Sequence, residues 1–293
     1  VGGDGGNATG IDLSNVSGAT FSGTNNVSAI FGGGSDGGFA DITATPEAGA
    51  GQAEADNNQS IGGAAGTAGN AVGVNASGSS NVAVNNLTVN NVMGGDSQGG
   101  GATDALTALA TANGVGVQTN DNTAVGGDAG QGGDGITINA NNTSNFSMRS
   151  SRLDNISGGG SIGGQADMLP YAFQATDAQA MSDGNKATGG NAGNGGNAIA
   201  VDAQSAQNIT VSNNIIEFLT AGSSQGGSAS VNPRAEATNN DNVPGNSITA
   251  DNNVGTGGVA ARGGNAIAIN VPNANGVVAS DNTISDLTGG ASY

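Results

Sequence analysis

Short apolar stretches alternate with polar residues along most of the chain, and the same pattern keeps returning. In SSNVAVNNLTVNNV (79–92), AQNITVSNNIIEFL (206–219) and NGVVASDNTISDL (275–287) the order is constant. An Asn leads into an alternating stretch, an Asn-Asn or Asp-Asn pair follows, and a second apolar stretch closes the unit. Period-two alternation in Val- and Ile-rich runs bounded by Asn, Asp and Gly predicts β-strands separated by turns. Just upstream of such units lies a glycine-rich motif: VGGDGGN (1–7), IGGAAGTAGN (61–70), VGGDAGQGGD (125–134), TGGNAGNGGN (188–197) and TGGVAARGGN (256–265). These divide the chain into repeats 1–60, 61–124, 125–187, 188–255 and a partial 256–293, read together as one solenoid domain, 1–293.

The apolar positions after each motif fall into columns. The first strand residue is Val72, Ile136, Ile199 or Ile267. Two residues on are Val74, Ile138, Val201 and Ile269. Further columns hold Val82, Phe146, Ile209 and Val277, then Val89, Leu153, Ile216 and Ile284, then Val92, Ile156, Leu219 and Leu287. The first copy follows with a one-residue slip through Ile11, Leu13, Phe21, Val27 and Ile30. These columns predict an inward-facing core. Polar columns accompany them: Asn75, Asn139, Asp202 and Asn270 in one, and Asn81, Asn145 and Asn208 in another, with Asn213 and Asp281 near a third. Asn tolerates the left-handed backbone that a corner needs, and identical amides stacked along an axis bond as a ladder.

The expectation is an all-β, single-stranded parallel β-helix. A repeat of about 63 residues divides into three coils of about 21, giving about 14 coils and, at 4.8 Å per coil, a rod of roughly 65–70 Å. The third coil of a repeat, ATDALTALATA at 102–112, carries Ala inward and is expected to be thin. The strand-and-Asn repeats quoted above resemble the right-handed parallel β-helix family, the fold of pectate lyases and many bacterial and archaeal surface proteins. The resemblance covers nearly the whole chain and implies the fold rather than an activity.

Composition narrows the chemistry. The chain has 56 Gly in 293 residues, no Cys, no His and no Trp. Disulfides, thiolate chemistry and the commonest general base and metal ligand are therefore missing. With 23 acidic and 5 basic residues the net charge is −18, which argues against nucleic acid and anionic membrane surfaces as partners. No apolar stretch is long enough for a transmembrane helix, so membrane insertion is not expected. The glycine-rich motif lacks the Lys and Ser/Thr of a phosphate loop and opens no helix-period segment; it reads as a corner, or a flat sheet edge, of the solenoid.

Glycosidases of this fold need two carboxylates on one face, for which Asp154, Asp202, Glu217, Asp281 and Asp286 are candidates. Lyases need a basic residue beside a Ca²⁺-binding Asp cluster, and Arg149 and Arg152 show no such cluster nearby in sequence. Repetition alone explains Asp202 and Asp281. No catalytic residue and no cofactor is assigned. The only metal expectation is adventitious Ca²⁺ at an acidic surface such as Asp96, Asp104 and Asp121. N-x-S/T sequons include those at Asn7, Asn15, Asn26, Asn75, Asn86, Asn145 and Asn208, and composition accounts for them.

No capping helix is predicted at either end, and the first residue falls at a repeat boundary, as a processed N-terminus would. The resulting expectation is a secreted, noncatalytic structural protein at the cell surface or outside the cell. It would self-assemble head to tail into a filament, sheath or surface layer. The alternatives are a monomeric glycan-binding adhesin or autotransporter-like passenger, with Tyr171, Phe173, Phe218 and Tyr293 as scattered aromatic candidates, and, below it, a polysaccharide lyase or glycoside hydrolase. Specific recognition would sit in the length-variable segments 34–60 and 221–262.

Overall fold

The computed structural model describes residues 1–49, 51–110, 116–174, 179–237 and 248–293. Among them every regular element is a β-strand, and the strands form seven sheets. All pairing is parallel. The chain is an all-β parallel solenoid.

The pairing register sets the coil. Ile11 pairs with Val74, Val74 with Ile138, Ile138 with Val201, and Val201 with Ile269. The steps are 63, 64, 63 and 68 residues, so one whole repeat is one coil. The expected subdivision into three coils of 21 residues does not occur. Each coil spends its length going around a wide circuit, and the stack is about five layers deep, roughly 20–25 Å at the parallel-strand spacing. In the first copy Ile11 occupies the Val74 column, not the Val72 column.

A single coil has two lobes. In the second coil, strands Ala71–Asn75, Ser80–Asn85 and Leu87–Met93 wrap the larger lobe. Ser97–Gln98 follows in the connection, and strands Ala102–Ala110, Val117–Gln118 and Thr123–Val125 wrap the smaller lobe. The larger lobe is filled by Val82, Val84, Leu87, Val89 and Val92 and their equivalents above and below, including Phe146, Met148, Ile209 and Leu219. The inward residues of 102–110 are Ala102, Asp104, Leu106, Ala108 and Ala110, so the smaller lobe is filled mainly by Ala. The described residues of segment 34–60, all but residue 50, leave the waist and form the first layer of this lobe. The described parts of 221–262 form its last, with 238–247 outside the described residues.

Between the lobes runs a waist. The glycine-rich motifs form its return side, and segments such as 94–101 form its forward side. Along the return side, Gly2, Gly5 and Ala8 donate their N–H groups to Ala64, Thr67 and Asn70 of the next coil. A bond to the neighbour every third residue is the period of a polyproline II helix. A second set of N–H groups zips the two sides together: Gly69 to Gly33, Gly95 to Gly69, Gly133 to Gly95, Gly159 to Gly133 and Gly196 to Gly159, at 2.8–2.9 Å. A Cβ on Gly94 would lie 1.8 Å from the Gly133 carbonyl oxygen. The motif is therefore not a corner. Its glycines are there because backbone packs directly on backbone.

Corners use a different device. Four columns of the larger lobe hold a residue at positive φ in nearly every coil, for example Gly18, Asn81, Asn145, Asn208 and Gly276, with φ between 52° and 78°. Asn and Gly share this column because both accept the left-handed region. Phe218 and Ala29, at φ 54° and 58°, occupy a column otherwise filled by Asn91, Asn155 and Asp286.

Candidate functional site

Three features hold the polar and aromatic side chains on which a function could be built: the ladders, the waist cleft, and the outer face of the smaller lobe.

The ladder residues expected from sequence are placed as follows. Asn145 donates to Asn81 at 2.9 Å and Asn208 donates to Asn145 at 3.0 Å. Asn75 donates to Asp12, Asn139 to Asn75 and Asn270 to Asp202. Asp202 is buried and also accepts from Asn141 and Gln204. Its carboxylate is thereby committed to holding coils together.

Two deeper ladders had no counterpart in the sequence reading. In the smaller lobe Asn58, Asn122, Asn185 and Asn253 stack in the interior. Each amide donates to the next Oδ1, and that oxygen also accepts the backbone N–H of the residue below. Asn122 and Asn185 are fully buried. In the larger lobe Asn214 and Asn282 do the same. Each of these residues follows a left-handed corner residue: Asn57, Asp121, Gly184, Asn252, Asn213 and Asp281. The doublets Asn-Asn, Asp-Asn and Gly-Asn at coil spacing were the available signal. The first residue turns the chain and the second turns inward.

The predicted core residues divide. Val74, Val82, Ile138, Phe146, Val201, Ile209 and Ile216 are buried in the larger lobe, and Ile11, Leu13 and Ile269 pack half-buried against them. Val72, Ile136 and Ile267 are half-buried, and Ile199, though buried, also lies outside that cluster. Strand alternation turns Ala71 and Gly73 toward the core instead, and a Cβ on Gly73 would touch the Val89 side chain. Val277 and Ile284 belong to the outermost described coil and are exposed.

The waist cleft on the return side encloses about 550 Å³ and is lined by Asp4, Asn7, Asn70, Asp134, Asn197 and Asn265 among others. Its side-chain oxygens have a structural task. Thr67 N–H donates to Asp4, Asn70 N–H to Asn7, Asp134 N–H to Asn70, Asn197 N–H to Asp134 and Asn265 N–H to Asn197, at 2.6–2.9 Å. These N–H groups are the third set of the polyproline II turn, the set facing outward. A buried serine column, Ser35, Ser97, Ser161 and Ser224, fills the middle of the waist and bonds across it to glycine backbone.

The carboxylate candidates do not assemble into a dyad at a cleft. Asp154 and Glu217 are adjacent on paired strands, and the Arg152 guanidinium bridges both. Asp281 and Asp286 sit at separate corners. Arg149 contacts Ser147. Among the described residues no group of three or more acidic side chains could hold a metal ion. Asp96 accepts the Gly160 N–H at the waist, and Asp121 lies at a corner of the smaller lobe. Asp104 corrects the sequence reading: it is not on the surface but fully buried, because the alternation of 102–110 points it inward.

On the outer face of the smaller lobe, Tyr171 and Phe173 lie with ring centroids 6.1 Å apart. Arg234 on the next coil stands 5.2 Å over the Tyr171 ring, and the Tyr171 hydroxyl donates to Glu236 at 2.8 Å. Arg234 also pairs with Glu236. Burial and then the Glu236 contact push the phenol up, while the Tyr171 hydrogen bond and then Arg234 pull the Glu236 carboxyl down. Leu169 beside them is exposed.

No protein-family signature matches the chain, and no curated protein does. Among solved structures, the polyproline II bundle antifreeze protein of the springtail Granisotoma rainieri is 21% identical over 52% of this chain and 95% of its own, with a TM-score of 0.09. The catalytic domain of a GH87 α-1,3-glucanase in complex with tetrasaccharides is 10% identical over 91% of this chain and 64% of its own, with a TM-score of 0.08. Neither superposition is close enough to carry an argument about fold or function.

Proposed function

We propose that the chain is a secreted, noncatalytic structural solenoid whose copies stack coil on coil into an extracellular filament, sheath or surface layer. The coil-on-coil interface carries this reading. The first three full coils each present to the next the edges of the same seven sheets, a polyproline II-like glycine segment and several Asn columns in one register, and the larger lobe carries this on to a fifth layer. A surface that repeats at each layer inside the chain is self-complementary between chains, and a head-to-tail contact of that kind propagates. The Asn and Asp columns are already spent on these coil-to-coil bonds, which favours a scaffold over a catalyst.

Electron microscopy with light scattering on purified protein tests the reading. Filaments with a parallel-strand spacing along their axis and a subunit repeat of roughly 20–25 Å are expected. Protein that stays monomeric at high concentration across salt and pH overturns it. The second reading, a glycan-binding surface protein, draws on the Tyr171–Phe173–Arg234–Glu236 group. A glycan array on wild type and Tyr171→Ala decides it.

A further inference from the structure

Two carboxyl residues are buried among the described residues, and one of them, unlike Asp202, has no part in any ladder. Asp104 lies inside the smaller lobe, and both of its oxygens are buried without a hydrogen-bond partner. Its column is otherwise apolar: Ile42 on the coil before and Met168 on the coil after. Around it are Ala102, Ala124, Ala166 and Ala187, and the polar group facing it is the buried Ser60 hydroxyl. Charged groups on the packed elements point elsewhere. Asp41 and Asp167 alternate to the outer face next to Ile42 and Met168, and Glu54 and Lys186 are exposed. Among the described residues, none offers Asp104 a cation.

We propose that Asp104 is a pH-sensitive latch of the smaller lobe: un-ionised it seats within the Ala-lined interior, and ionised it loosens the coils that pack on it. A carboxylate with no cation and only the Ser60 hydroxyl to face is strongly disfavoured in such surroundings, burial outweighing what that hydroxyl offers the ionised form, whereas the neutral acid is tolerated. Burial pushes this carboxyl above its ordinary 3.8. A group raised in the folded state stabilises fully below its unfolded value, and that contribution is lost as pH rises through the folded value. The smaller lobe therefore tightens in acid and slackens toward neutrality. The larger lobe has no buried, unpartnered carboxyl among its described residues and is unaffected by this group.

Hydrogen exchange of the full chain between pH 4 and pH 7, corrected for intrinsic rates, reads this directly. Protection of strands 59–61, 102–110 and 166–172 in wild type is expected to fall about tenfold or more over that range, the equivalent of a one-unit pKa separation. In Asp104→Asn most of that fall should vanish, what remains belonging to Asp56, a half-buried carboxyl of the same lobe that burial also pushes up, and strands 82–92 should be flat in both. Identical pH profiles in wild type and Asp104→Asn overturn the proposal. Infrared spectroscopy of the wild type covers the case in which the variant does not fold. The carbonyl stretch of an un-ionised carboxylic acid at pH 5 and its loss on raising the pH are expected. Its absence at pH 5 overturns the proposal as well.

Discussion

The two lobes of each coil share one register and one stacking distance, yet their interiors are built on opposite terms. The larger lobe buries Val, Ile, Leu, Phe and Met in a single continuous cluster. The smaller lobe buries Ala in two separate clusters, and between and beside them it hides Asn122, Asn185, Gln174 and Asp104. The first holds itself together by apolar area, at about 25 cal/mol per Å² removed from water. The second has little such area, and its coils are joined by interior amide ladders in which each group is satisfied by its neighbour. Between them, the waist is held by backbone hydrogen bonds between glycines, with a serine column across its middle and Asp and Asn side chains along its outer edge. A solenoid can thus keep one register through three kinds of interior, provided the strand spacing is common to all.

The largest effect is expected where no side chain fits. Gly94→Ala puts a methyl group 1.8 Å from the Gly133 carbonyl oxygen, and only backbone is there to move. A loss of more than about 3 kcal/mol, or failure to fold, is expected in thermal unfolding, beyond ordinary overpacking. Tolerance of this change would show that the two sides of the waist are not in contact.

Truncations in the two cores set the lobes against each other. Phe146→Ala in the larger lobe should cost about 3–5 kcal/mol, as a large cavity in a tightly packed cluster does. Leu106→Ala, equally buried but ringed by Ala, should cost about 2–3 kcal/mol, near the lower end for its type. Denaturant unfolding of both variants checks the order. Equal costs would erase the distinction drawn between the two interiors. Asn122→Ala then asks what holds the smaller lobe. It leaves the Asn58 amide and backbone N–H without their acceptor, and each unsatisfied buried donor costs about 1–3 kcal/mol. A loss below about 0.5 kcal/mol would mean the ladder is incidental, since ordinary surface substitutions fall within that range.

Much of this architecture was legible before the structure. Columns such as Val82–Phe146–Ile209 and ladders such as Asn81–Asn145–Asn208 follow from alternation and spacing, because each strand answers to its neighbour at the same offset. The coil length did not follow. A 63-residue period is compatible with one wide coil or three narrow ones, and pairing offset is a long-range property that no local pattern states. The absence of any 21-residue self-similarity inside a repeat was the available clue. The waist was hidden for a related reason. Glycine serves both a left-handed corner and a close backbone approach, and composition does not separate the two. Gly18 and Gly276 do the first, while Gly94 and Gly133 do the second. Asp104 was misplaced because an acidic residue in an alternating Ala/Leu strand reads as surface until the strand's inward face is known.

The smallest effect should run the other way. Phe218 holds φ at 54° in a column where the coils above and below place Asn155 and Asp286, and its side chain is 52% exposed. An aromatic residue in the left-handed region carries a steric cost of roughly 1–2 kcal/mol, and this one recovers little of it by burial. Phe218→Asn should restore the corner chemistry of its neighbours and let the amide join the ladder in which Asn155 already donates to Asn91. A stability gain of about 1 kcal/mol is expected in denaturant unfolding, with an unchanged m-value. A loss instead would mean that contacts of the ring within the chain outweigh the strain at this corner.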